Sequence, residues 1–140
     1  MPEYVPLFTK IWSDTKFKKL SKEAKLLFLY LGWNPNINLL GIYEPDWEVT
    51  KVQTKLGDIK IPLTELINEK MIFYDEEHNL IFVKNHFKYQ PKNSPLVKKG
   101  VIRELNQLNH LKFKNLFIQI YYDYIKDSLS ELKKDEQKTN

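Results

Sequence analysis

Between Val83 and Pro95 the sequence reads VKNHFKYQPKNSP, where Lys84, Lys88 and Lys92 are interleaved with His86, Phe87 and Tyr89 and no acid occurs. Ammonium groups at such spacing neutralise phosphates, and an aromatic ring between them offers a face on which an exposed base can stack. Phe87 also suits an apolar anchor for the outgoing chain, which leaves the lysines at the periphery. The basic stretch continues past Pro95. From Lys84 to Leu116, eight basic residues, Lys98 and Lys99 among them, stand against Glu104, a balance of +7 that leaves −3 for the rest of a chain whose net charge is +4. Charge this localised is the footprint of a polyanion partner, although a solvated helix face gives the same count.

The other reactive groups are poorly arranged for catalysis. His78, His86 and His110 have no ligand-like spacing and there is no cysteine, so neither a metal centre nor a disulfide framework is expected. Asp75, Glu76 and Glu77 are adjacent, whereas a general acid and base must be held on opposite sides of a substrate, so a solvated turn is the better reading. No glycine-rich phosphate loop or nucleophile elbow occurs. The expectation is a binding protein without enzyme activity or cofactor. The sequence shows no charged leader before an apolar run and no apolar stretch of about eighteen residues, so a cytoplasmic location without membrane contact is expected.

The elements that must carry these residues follow from punctuation and periodicity. TKIWSDTKFKKLS forms a short lid, with Trp12 and Phe17 as anchors and Ser13 or Asp14 as cap. Ser21 caps a helix over about 22–33 with Ala24, Leu27, Phe28 and Leu31 inward, and LLGIYE supplies an isolated strand at about 39–43. Asp46 caps the next helix, with Val49, Val52 and Leu56 inward and Gly57 as its left-handed stop. Another helix starts near Lys60, with Pro62 in its first turn and Leu63, Leu66 and Ile67 inward. Met71 to Tyr74 and Leu80 to Val83 then form a hairpin around Asp75 to Asn79.

Helix, strand, helix, turn, helix and hairpin is the order of a winged helix-turn-helix, a mainly α fold with a small antiparallel β-sheet (α+β). The second helix of the helix-turn-helix exposes Lys60, Thr64, Glu65, Asn68, Glu69 and Lys70, which sum to zero charge. Lys60, Thr64 and Asn68 on this helix, with Lys84, His86, Lys88, Tyr89, Lys92, Lys98 and Lys99 in the basic block, are the candidate DNA contacts. Glu65, Glu69 and the acidic hairpin tip oppose a phosphate backbone. Beyond residue 90 the pattern predicts two additional C-terminal helices over 91–130, the first interrupted by Gly100 and the second apolar around much of its circumference, which suits packing or a homodimer contact. A polar, disordered tail over 131–140 is expected to follow.

The strings WSDxKFxxLSxEAKLLFLYL, GIYE, LINEKMI and VKNHFKYQPKNSP, spread from Trp12 to Pro95, resemble the N-terminal winged-helix domain of phage and mobile-element replication proteins, the replisome-organiser and DnaD-like initiation group. The resemblance implies origin binding or organisation of a replication complex, with DNA and other replication proteins as partners. Two alternatives stand beside it, a protein-interaction module of a replication complex and a small transcriptional regulator.

Overall fold

The computed structural model describes residues 4–132, which divide into two compact units, the first ending at Gln90 and the second beginning at Pro91. Residues 133–140, most of the expected tail, lie outside the described residues.

The first unit is built on helices with side-chain caps. Asp14 accepts from the Phe17 N–H and opens α1 (Thr15–Lys19), Ser21 accepts from the Ala24 N–H and opens α2 (Lys22–Trp33), and Asp46 accepts from the Val49 N–H and opens α3 (Trp47–Thr54). Each cap satisfies a donor that the helix cannot satisfy itself, a contribution of about 1 kcal/mol. α4 (Lys60–Asn68) follows, with Pro62 in its first turn, where no intrahelical N–H is lost. Strands β1 (Ile42–Tyr43), β2 (Ile72–Asp75) and β3 (Leu80–Val83) form an antiparallel sheet in the order β1-β3-β2. Ile42 faces Phe82, and the hairpin register runs from Ile72 opposite Val83 to Asp75 opposite Leu80. The core joins Ala24, Leu27, Phe28 and Leu31 of α2 to Leu66 of α4 and to Ile72, Ile81 and Val83 of the sheet. The first unit is an α+β structure, and α2 packs on both α3 and α4.

Several expectations are corrected. β1 is shorter than 39–43, because Asn38 folds the chain before it: its Oδ1 accepts from the Gly41 and Ile42 N–H groups and its amide donates to the Ile42 carbonyl. The inward face of α3 carries Trp47, Thr50 and Thr54 rather than Val49 and Val52, which are 40% and 74% exposed. Trp47 decides this: its indole meets Tyr74 edge-on at 5.3 Å, and the i+3 and i+7 positions follow it inward. The two threonines tolerate burial because each hydroxyl donates to the carbonyl four residues back. The left-handed residue at the end of α3 is Lys55, two positions ahead of Gly57. Ile67 is turned outward on α4, and Pro62, with Ile59 just before the helix, joins Leu66 in the interior. Ile11 is fully buried in the N-terminal segment, while Trp12 stays 60% exposed with its ring edge on Phe17.

In the second unit α5 (Pro95–Gln107) starts at Pro95 behind a Ser94 cap and runs through Gly100 without a break. Proline at the first helical position is preorganised for a start, and burial of Val101, Ile102 and Leu105 offsets the roughly 1 kcal/mol that glycine costs a helix. α6 (Leu111–Ile120) ends at Tyr121, and α7 (Tyr122–Ile125) leads into a 3-10 segment, Lys126–Glu131. The break resolves the excess of apolar positions: Phe113, Phe117 and Ile125 are buried, whereas Tyr122 is turned out. Among the described residues no helix is long and apolar enough to cross a membrane.

Candidate nucleic-acid interface

α4 presents Lys60, Ile61, Thr64 and Asn68 to solvent and turns Pro62 and Leu66 inward. Glu65 does not belong to that exposed charge in the way its position in the helix suggests. Its carboxylate accepts from the Ser21 N–H at 2.8 Å and from the Ser21 hydroxyl at 2.7 Å, so it completes the N-terminus of α2. A carboxylate there also meets the positive end of the helix dipole. Glu65→Ala is therefore expected to lower stability by about 1–2 kcal/mol, with Glu65→Gln costing roughly half as much because one acceptor remains. Urea unfolding of the two variants checks this. Equal stability of wild type and Glu65→Ala would mean that the carboxylate is merely solvated.

At the C-terminal end of α4, lysines from four separate segments converge. The Lys16 ammonium of α1 donates to the Glu69 carbonyl at 2.9 Å, and Lys70, the next residue, adopts a left-handed conformation at φ 58°. Lys84, just past β3, donates its backbone N–H to the Met71 carbonyl at 3.1 Å. Lys88 follows in the 3-10 turn Phe87–Tyr89. Partial burial pushes the Lys84 ammonium below its ordinary value, and repulsion from Lys16, Lys70 and Lys88 pushes it further. Lys84 thus lies within the field of three other lysines, an arrangement whose positive potential favours an anion. Asp14 supplies a counter-charge, 3.6 Å from the Lys88 ammonium. Burial raises the Asp14 carboxyl, but the Phe17 N–H, the Tyr89 hydroxyl and Lys88 outweigh that and hold it below the usual carboxylate value.

Two candidate contacts are corrected. Tyr89 is 2% exposed and donates its hydroxyl to Asp14 at 2.9 Å, so its ring cannot stack on a base. His86 is 1% exposed, tilted against the Trp33 ring at 5.1 Å, and cannot reach a phosphate. Phe87 is fully buried, in keeping with an anchoring role. In the first unit, Lys84, Asn85 and Lys88 are the residues of the opening stretch that reach solvent. In the second unit Lys98 lies over the Tyr124 ring at 4.8 Å, the Lys92 carbonyl accepts from the Tyr124 hydroxyl, and Lys99 lines an open groove of about 360 Å³ with Arg103 and Asn106. The expected basic block is thus shared between the two units.

Burial pushes the His86 imidazole down to about 4 against a weaker upward pull from the Gly32 backbone. Between that value and the ordinary one of about 6.5, the unfolded chain takes up a proton that the folded chain refuses. Stability therefore falls as pH falls through this window, by about 2 kcal/mol at about pH 5 relative to about pH 7. His78, raised by a 2.8 Å hydrogen bond to Asp75 and by its charge, acts in the opposite direction but is solvent-exposed. Urea unfolding at the two pH values measures the difference, and a flat profile would contradict a buried neutral imidazole.

The hairpin tip is firmly seated. Asn79 takes φ 46°, accepts from the Tyr74 hydroxyl at 2.7 Å and donates to the Pro45 carbonyl, while the Trp47 indole N–H donates to that same tyrosine oxygen. Asp75 belongs to β2, which shortens the loop to Glu76–Asn79. Glu76 and Glu77 remain exposed. No family model, curated protein or solved structure matches the chain. Lys16, Lys70 and the Ser21–Glu65 clamp escape a sequence reading because each depends on a pairing of distant segments.

Proposed function

We propose that the chain is a DNA-binding protein of the winged-helix type that acts in replication initiation. The lysine cluster holds phosphates, and α4 lies against the duplex. The succession α2, β1, α3, α4, β2, β3 with the sheet order β1-β3-β2 supports the winged-helix reading. The replication role rests on the resemblance of the segments from Trp12 to Pro95. The observation that carries DNA contact is the convergence of Lys16, Lys70, Lys84 and Lys88 at the end of α4. Glu65 is engaged by Ser21 at the start of α2, and the line of Ile61, Thr64 and Asn68 on α4 carries no charge, while the exposed Glu69 just past the helix stands directly beside Lys70.

Four phosphate contacts give a slope of log affinity against log salt of about −3.6, which is a loss of roughly 100-fold between about 50 mM and about 200 mM salt. Fluorescence anisotropy with labelled duplex and single-stranded oligonucleotides reads this directly. Salt-sensitive binding supports the proposal, and salt-independent or undetectable binding overturns it. In that case the acidic hairpin tip favours a protein partner instead.

A further inference from the structure

The outer face of α4 holds a stripe whose chemistry goes beyond phosphate contact. Ile61, Thr64 and Asn68 follow the i, i+3, i+7 spacing that places side chains along one helical line. All three are exposed, Ile61 to 80%. Neither Thr64 nor Asn68 has a side-chain partner among the described residues, so the amide and hydroxyl are available to a ligand. The line is about 10 Å long at 1.5 Å per residue, close to three base-pair steps of about 3.4 Å. Its Asn68 end lies one residue before Glu69, whose carbonyl binds Lys16, and two before Lys70. A phosphate strand held by the lysines would therefore bring the neighbouring groove to Asn68.

Resting on the DNA-binding reading above, we propose that this stripe reads A·T base pairs in the major groove. A carboxamide matches adenine with two hydrogen bonds, its oxygen accepting from the N6 amino group and its nitrogen donating to N7. The Ile61 side chain and the Thr64 methyl match the thymine C5-methyl group, which G·C pairs lack. No arginine occurs on α4, so the usual bidentate reader of guanine is missing. Lys60, one residue before the stripe, is a single point charge placed to meet the backbone. Charge complementarity also favours a nucleic acid over a protein at this face, because the cluster at its end is cationic.

The test uses the full chain and three duplexes of equal length: A·T-rich, G·C-rich, and the A·T-rich sequence with 7-deazaadenine, which removes the N7 acceptor and leaves the minor groove unchanged. Wild type is expected to prefer the A·T-rich duplex over the G·C-rich one by about 10-fold or more, and to lose about 10-fold on the 7-deaza duplex. Asn68→Ala is expected to bind the unmodified and 7-deaza duplexes alike with an unchanged salt slope. Ile61→Ala is expected to narrow the A·T preference more weakly. Both positions are exposed, and circular dichroism of the variants confirms the fold. Equal, salt-sensitive binding of all three duplexes by wild type overturns the base-reading proposal and leaves the phosphate site standing. Absence of salt-sensitive binding to any duplex overturns both. If Ile61→Ala changes self-association in sedimentation while duplex preference is unaltered, the stripe is a protein contact and the proposal falls.

Discussion

Gly41→Ala is expected to destabilise the first unit by about 2–4 kcal/mol. Gly41 adopts φ 75°, where a β-carbon already costs roughly 1–2 kcal/mol. The added carbon would also stand 2.9 Å from the His86 β-carbon and 3.0 Å from the Val83 carbonyl oxygen. Backbone cannot yield as a flexible side chain can, because the Gly41 carbonyl accepts from the Val83 N–H at 2.8 Å and the Gly41 N–H is held by Asn38. Gly57→Ala provides the control. It shares the left-handed conformation at φ 67°, but no atom lies within 4 Å of where its new carbon would stand, so about 1 kcal/mol is expected. Urea unfolding of both variants separates backbone strain from steric conflict. An equal cost at the two positions would show that the approach of Val83 and His86 to Gly41 is not tight.

What could be read from the sequence was local. Ser21, Asp46 and Asp14 cap helices through bonds to residues three positions on, and α2 occupies 22–33 as its apolar spacing predicts. The hairpin was legible for the same reason, since both strands and their loop are contiguous. α3 was misread where two stripes competed: Val49 and Val52 are apolar, but Trp47 fixes the rotation of the helix and the threonines satisfy their own hydroxyls. The candidate site was harder. His86 and Tyr89 look like interface residues beside lysines, yet the chain folds back after β3, and Tyr89 reaches Asp14, 75 positions earlier. The Tyr89 carbonyl also accepts from the Phe8 N–H. Glu65 looks like a repelling charge until Ser21, 44 positions away, is placed against it. Long-range pairings of this kind leave no periodic trace in a single sequence. The lysines of the basic block were legible as charge, but nothing local brings Lys16, in the separate basic run TKFKK, or Lys70 to them.

Replacing Lys16, Lys70, Lys84 and Lys88 together with glutamine is expected to have the largest effect on binding. Each removed phosphate contact takes about 0.9 from the magnitude of the salt slope on duplex DNA, so four remove about 3.6 and leave binding nearly independent of salt. At low salt the affinity should fall by about 100-fold or more. The fold should survive, because Lys16 contributes one exposed hydrogen bond and the Lys88–Asp14 pair is a part-exposed contact at 3.6 Å, each worth about 1 kcal/mol or less, and circular dichroism of the variant checks this. Lys98 and Lys99 serve as a comparison, since Lys98 is engaged with Tyr124 and Lys99 with the groove of the second unit. Replacing those two is expected to change the slope less than replacing any two of the cluster.

The most direct measurement is the slope of log affinity against log salt for a labelled duplex, taken for wild type and for the fourfold glutamine variant under the same conditions. The lysine cluster as the phosphate site predicts a steep slope for wild type, about −3.6 or steeper, and one shallower by about 3.6 in the variant. Identical slopes for the two proteins, or no binding by wild type at the lowest salt, would contradict it.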